Sequence, residues 1–167
     1  YYKKDTSFNE ISVTFYEDTY SLYNLYRFAH YYEEAYGKYI WLKSGASLVI
    51  EHTEAMTVID VNTGSVLKKK RQEDTLFYQI NREAAKEIAR QIRLRNISGI
   101  IMIDFINMKD EKQKEKLLLL LENECRKDRI HCNVVDMTAL NLVEMTRSKV
   151  RRPLLEQITV CRKMQKN

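Results

Sequence analysis

Two carboxylates stand apart in this sequence. Asp60 lies near the carboxyl end of Ala55-Met56-Thr57-Val58-Ile59-Asp60-Val61, and Asp104 near the end of Gly99-Ile100-Ile101-Met102-Ile103-Asp104-Phe105. Each is the lone acid in an apolar, β-branched run of the kind that forms a strand. Carboxylates from two neighbouring strands can bracket one divalent cation. Oxygen ligands suit a hard ion such as Mg²⁺, or Mn²⁺, which keeps several waters and takes only one or two carboxylates. Such an ion polarises a phosphate oxygen and lowers the pKa of an attacking water. Without it, the pair would repel both each other and a phosphodiester. A second reading stands beside this one: an Asp after a buried strand often caps the next turn, and Asp60-Val61-Asn62-Thr63-Gly64 has turn composition. Asn62 would point to the same side as Asp60 if the strand persists, ready to ligand the ion or orient the carboxylate. Turn formation explains it equally well.

The elements that must position these groups follow from periodicity. Phe77, Ile80, Ala84, Ile88 and Ile92 step by three and four, so Thr75–Leu94 is expected to be a helix with one buried stripe. Glu73 and Asp74 suit its positive end, and Arg90, Arg93 and Arg95 its negative end. A helix between two strands makes them parallel, with both carboxyl ends on one edge, where open α/β sheets place their ligands. The nearly continuous apolar run Gly99–Phe105 is expected to be covered on both faces. Further strands are expected at Glu10–Glu17, Tyr39–Leu42, Ser47–Glu51 and Ile130–Val135, with a tight turn at Ser44-Gly45-Ala46. A helix over Tyr23–Tyr36 would share Leu22, Leu25, Phe28, Ala29, Tyr32 and Ala35 on one face, its tyrosines serving either as core edge or as base-stacking bodies. Another over Asp110–Lys127 would bury Leu117, Leu118, Leu121 and Cys125. Asn141–Thr146 fits strand or helix, and after Pro153 the pattern fades into a polar tail. The fold class is α/β: a mixed sheet with a βαβ unit flanked by helices.

The 167 residues are 44% hydrophobic and 31% charged, enough for a core without disulfide staples. With 4 Gly and 1 Pro, no linker divides the chain, so one domain or a large piece of one is expected. The opening at Tyr1 carries no start signal, so the piece is expected to begin mid-protein. A net charge of +5 favours anionic partners only mildly. The run Lys68-Lys69-Lys70-Arg71 follows the Asp60 strand and would either meet phosphates or be a solvated loop. Cys125, Cys132 and Cys161 show no CxxC spacing, and no secretory or membrane-spanning run is present, so a reducing cytoplasm and no membrane partner are expected. His131 and Cys132 lack partners at ligand spacing. Nothing resembles a Gly-rich phosphate cradle or a Ser/His/Asp or Cys/His arrangement.

Ser44–Glu51 and Thr53–Gly64 resemble the catalytic stretch of the RNase E/G endoribonucleases. The resemblance continues through Asn81–Ala85, Ile88–Asn96, Gly99–Met108, Asp128-Arg129 and Leu142–Arg147, spanning about Glu10 to Glu156 in order. It implies a DNase I-like catalytic subdomain over residues 38–158, preceded by the end of an RNase H-like subdomain at 1–37 and followed by a tail at 159–167 toward a dimerisation region. It also implies that Asp60 and Asp104 hold Mg²⁺, that Asn62 helps set the site, and that single-stranded RNA is hydrolysed by water to leave a 5′-phosphate. The family's OB-fold and 5′-end sensor lie upstream of the matched segment. A zinc-bridging CPxC motif normally follows it; here Cys161 is present but Met164 stands at the second cysteine's place, so no zinc is expected. His131 stands where some members carry a basic residue that touches the RNA 5′ end. The implied parent is a homo-oligomeric, Mg²⁺-dependent endoribonuclease of RNA processing and decay, this excised piece being weakly active or inactive alone. The alternative is a member kept for RNA binding or assembly, with weakened catalysis. A metal-free nucleotide-binding domain would want a glycine-rich first turn, and Asn62-Thr63-Gly64 supplies one glycine.

Overall fold

The computed structural model describes residues 15–64 and 73–157. The chain divides into two compact units, Tyr1–Tyr32 and Glu33–Asn167.

The helix expected over Tyr23–Tyr36 is interrupted within the first unit. Helix α1 covers only Leu22–Leu25, capped by the Ser21 side chain, which accepts from the Tyr23 amide. Arg27 then takes a left-handed conformation, φ 51°, and α2 restarts at Phe28 and runs to Tyr36. A positive φ breaks the i→i−4 ladder. It also folds the aromatic side chains back on one another, with ring centroids 5.9 Å apart for Tyr23–Phe28 and 6.4 Å for Tyr23–Tyr32. Of the residues expected to share one face of a single helix, only Ala35 is buried. Phe15–Glu17 is not a strand, and the rest of the strand expected at Glu10–Glu17 lies outside the described residues.

The second unit is built on a six-stranded sheet of order β1-β2-β3-β4-β6-β5. Its strands are β1 (Tyr39–Trp41), β2 (Ser47–His52), β3 (Met56–Asn62), β4 (Gly99–Asp104), β5 (Cys132–Met137) and β6 (Leu142–Arg147). Helix α3 (Glu73–Leu94) joins β3 to β4, and α4 (Glu111–Cys125) joins β4 to β5. As the helical connection demands, β3 and β4 are parallel, while every other pair is antiparallel.

Ile80, Ala84, Ile88 and Ile92 of α3 and Leu117 and Leu121 of α4 join Leu48, Ile59, Ile101, Ile103, Val143 and Met145 in one core. Strand side chains alternate faces, so this core takes one face of the sheet only. The other face is open along β4, where Ile100 is 48% exposed and Asp104 is exposed. That corrects the expectation that Gly99–Phe105 is covered on both faces. Of its two neighbouring strands one is parallel and one antiparallel, and β6 brings no helix to the second face. The ambiguous segment resolves as strand β6, whose alternate residues Val143, Met145 and Arg147 point inward. β5 starts two residues later than expected, and the residues after Pro153 make a helical turn at 154–157. Helix α3 ends at a left-handed Asn96, φ 50°, where the Ile97 amide donates to the Ile92 carbonyl, a Schellman closure.

Candidate metal centre at the carboxyl edge

Asp60 and Asp104 stand directly opposite each other in the β3–β4 ladder. Adjacent strands lie about 4.8 Å apart. Their neighbours Ile59, Val61, Ile103 and Phe105 are buried in the helix-covered core, so both carboxylates project from the open face. Asp60 is half-buried and Asp104 exposed. Partial burial, then the charge of Asp60, raises the Asp104 carboxyl above its ordinary range. Among the described residues, neither carboxylate has a Lys or Arg salt-bridge partner. Asn62, two residues along β3, donates from Nδ2 to Asp60 Oδ2 at 2.6 Å. The three residues singled out in the sequence are therefore together on one face.

Three contacts fix this edge. Asn81 of α3, fully buried, donates from Nδ2 to the Ile106 carbonyl at 2.7 Å and accepts from the Ile106 amide at 3.0 Å. It thereby holds the chain two residues beyond Asp104. Glu83 accepts from the Lys43 and Ser44 amides, anchoring the β1–β2 turn. Gly64, at φ +56°, packs so closely on that turn that a Cβ would sit 2.6 Å from the Gly45 carbonyl oxygen. Sequence reasoning assigned neither Asn81 nor Glu83 a role. A readable signal existed for Asn81, an amide inside the apolar stripe of α3; none existed for Glu83.

The donor set suits a hard cation. Among the described residues no group of three or more His, Cys, Asp and Glu could hold a metal. That excludes an all-protein cage there but not an ion that keeps most of its waters and takes one or two carboxylates. Two like charges side by side, with no Lys or Arg among the described residues in salt-bridge contact with them, match such an ion. The expected phosphate contacts Lys68, Lys69, Lys70 and Arg71 lie outside the described residues, as do Cys161 and Met164. His131 is exposed. Asp128 and Arg147 form a buried ion pair, Nε to Oδ2 at 2.9 Å, while Arg147 Nη1 donates to Asn96 Oδ1 and the Ile97 carbonyl. Burial alone would raise the Asp128 carboxyl; the hydrogen bonds from Arg147 and the Ile130 amide, with the charges of Arg147 and Arg93, together outweigh it and hold the carboxyl below its ordinary range. These residues brace β6 against the end of α3, far along the strands from the carboxylate pair.

Residues 1–150 match the Ribonuclease E/G family. Ribonuclease G of Escherichia coli (strain K12) is 42% identical over 133 residues, which are 80% of this chain and 27% of that protein. Ribonuclease G of Haemophilus influenzae is 43% identical over the same shares of both chains. Ribonuclease E of Synechocystis sp. is 44% identical over 115 residues, 69% of this chain and 17% of that protein. The chain thus spans well under a third of the length of these curated relatives. Since the family match covers most of its residues, the chain belongs to the ribonuclease E/G family.

Proposed function

We propose that this chain supplies the cation-binding catalytic edge of an endoribonuclease that hydrolyses single-stranded RNA. The observation that carries the reading is the side-by-side register of Asp60 and Asp104 on an open sheet face. Both carboxylates would hold one Mg²⁺, or Mn²⁺, and Asn62 would keep Asp60 turned toward it through the Nδ2–Oδ2 bond. When bound, the ion supplies charge neutralisation at a phosphate oxygen and a more acidic water. The chain's own part is positional: β3 and β4 set the spacing, and Asn81 and Gly64 hold the segments that leave them. Water is the nucleophile, and the downstream product keeps a 5′-phosphate. The subdomain assignments belong to the same proposal: an RNase H-like end at 1–37, a DNase I-like catalytic part at 38–158, and a tail at 159–167 leading toward a dimerisation region. So do a homo-oligomeric parent and a cytoplasmic setting. No helix among the described residues is long and apolar enough to cross a membrane.

The test is substitution in a full-length protein that carries this segment. Asp60→Asn or Asp104→Asn should lower RNA cleavage in Mg²⁺ by several hundred-fold or more, on the order of 4 kcal/mol of lost charge stabilisation. RNA affinity should stay nearly unchanged, because it rests mainly on basic groups elsewhere. Near-normal cleavage by either variant would refute the assignment.

A further inference from the structure

On the reading just proposed, the substrate must lie across the open sheet face, which also carries two exposed aromatic side chains. Trp41 of β1 is 72% exposed and Tyr39 60% exposed. Both point to the same face as the carboxylates, because the ladder aligns Tyr39 with Val49, Asp60 and Asp104 in one row, and Trp41 with Ser47 and Asn62 in the next. Each aromatic is therefore two strand spacings from the candidate centre, about 10 Å. The residue between Trp41 and Asn62 is Ser47, too small to stand as a wall. Tyr39 carries the Lys38 ammonium 5.7 Å from its ring centroid. Among the described residues no aromatic ring pairs with Trp41.

We propose that Trp41, flanked by Tyr39, is a stacking platform for an unpaired base of the RNA strand whose phosphodiester lies at Asp60 and Asp104. A large aromatic left mostly in water forgoes its own burial, and a base is a flat partner that restores it. Sheet faces that present aromatics bind single strands in this way, and stacking tolerates any base because each has a π-face. Asp60 and Asp104 make this part of the face acidic, whereas Glu51 is paired with Lys38, so a neutral contact beside the two carboxylates adds affinity without repulsion. A duplex hides its base faces, so the platform selects unpaired RNA beside the reacting phosphate.

Trp41 is the single tryptophan of the 167 residues, so its emission reports on the platform directly. The chain is titrated in Mg²⁺ with a short, labelled, 2′-O-methylated single strand, and label anisotropy is read together with tryptophan fluorescence. The expected result is saturable quenching that follows the anisotropy, with none from the same sequence as a duplex. Trp41→Ala should weaken binding about ten-fold, Trp41→Phe much less. The salt dependence should keep its slope, since no phosphate contact is lost. Binding seen by anisotropy with no change in emission, or unaltered by Trp41→Ala, overturns the platform and leaves the ribonuclease reading standing. A blue shift that follows protein concentration instead of RNA overturns it in favour of an interface between copies. Failure of the wild-type chain to bind the strand at all overturns the platform and leaves the ribonuclease reading, whose test is substitution in a full-length protein, standing. Trp41→Phe and the wild-type emission decide the matter even if Trp41→Ala fails to fold.

Discussion

A carboxylate pair that serves a cation is a burden to the chain without one. At Asp104, burial and the charge of Asp60 both favour the protonated form in the folded state, so its carboxyl sits above the ordinary range. A raised carboxyl pKa means that the folded state binds the proton more tightly than the unfolded state does. The cation-free chain is therefore relatively stabilised as pH falls through that raised pKa, and loses this advantage as pH rises above it. Asp104→Asn should remove the pH dependence and slightly stabilise the cation-free protein near neutral pH. Because Asp104 is exposed, screening limits the gain to a few tenths of a kcal/mol. The same variant should lose most of the stabilisation that millimolar Mg²⁺ or Mn²⁺ gives the wild type. Paired thermal melts with EDTA and with metal check both signs; a variant that melts lower in EDTA than the wild type would refute the repulsion. These residues were legible in the sequence because a single acid inside a β-branched run is rare enough to notice. Whether Asp60 closed a turn or a site was not legible, since both uses need the same residues. The structure places Asp60 inside β3 and opposite Asp104, before the turn.

At the level of elements, something must anchor the chain where it leaves the carboxyl end of β4. Asn81 does this by satisfying both the donor and the acceptor of Ile106 from the interior of α3. Asn81→Ala would leave two backbone groups unpaired, at about 1–3 kcal/mol each where they stay buried. The expected outcome is a chain destabilised by about 2–4 kcal/mol in denaturant melts. Its affinity for Mn²⁺ should also fall roughly ten-fold or more, as when the support of a metal ligand is removed. Calorimetric titration at a temperature where the variant is folded separates the two effects; unchanged affinity would reduce Asn81 to a purely structural role. Gly64→Ala meets the Gly45 carbonyl oxygen at 2.6 Å and must also hold φ +56°, so a loss of roughly 1–3 kcal/mol is expected in the same melts. The long helices and β3 and β4 could be read from periodicity, because each repeats its pattern over enough residues. β6 could not, since six residues with Leu142, Val143 and Met145 set among Glu144, Thr146 and Arg147 satisfy either period. The break at Arg27 had no signal at all: neither Gly nor Pro marks it, and the aromatic contacts that accompany it join residues several positions apart.

Across the whole molecule, one sheet face is a packed core and the other carries the candidate chemistry, with Trp41, Tyr39 and Ile100 exposed on it. The apolar run of β4 suggested a sheet buried on both sides, because composition reports how apolar a strand is but not what covers it. Within the described residues the carboxylate edge has Asn62, Asn81 and Gly64 to shape it, with no Lys or Arg in salt-bridge contact with either carboxylate. Positioning of reactants contributes several kcal/mol in such hydrolyses, and the curated relatives are several times longer than this chain. The chain by itself is therefore expected to fold and bind Mn²⁺ yet cleave RNA at least a hundred-fold more slowly than a full-length protein carrying it, a loss of about 2.7 kcal/mol or more. It should also show no preference between a 5′-monophosphate and a 5′-hydroxyl, since none of the groups described at this edge singles out a chain end. What binding it has should weaken steeply with added salt wherever Lys and Arg carry it. The measurement is turnover by the two proteins on one RNA prepared with either 5′ end. Equal turnover would show that the described edge is sufficient for catalysis, and a clear monophosphate preference by the chain alone would place end sensing within these 167 residues.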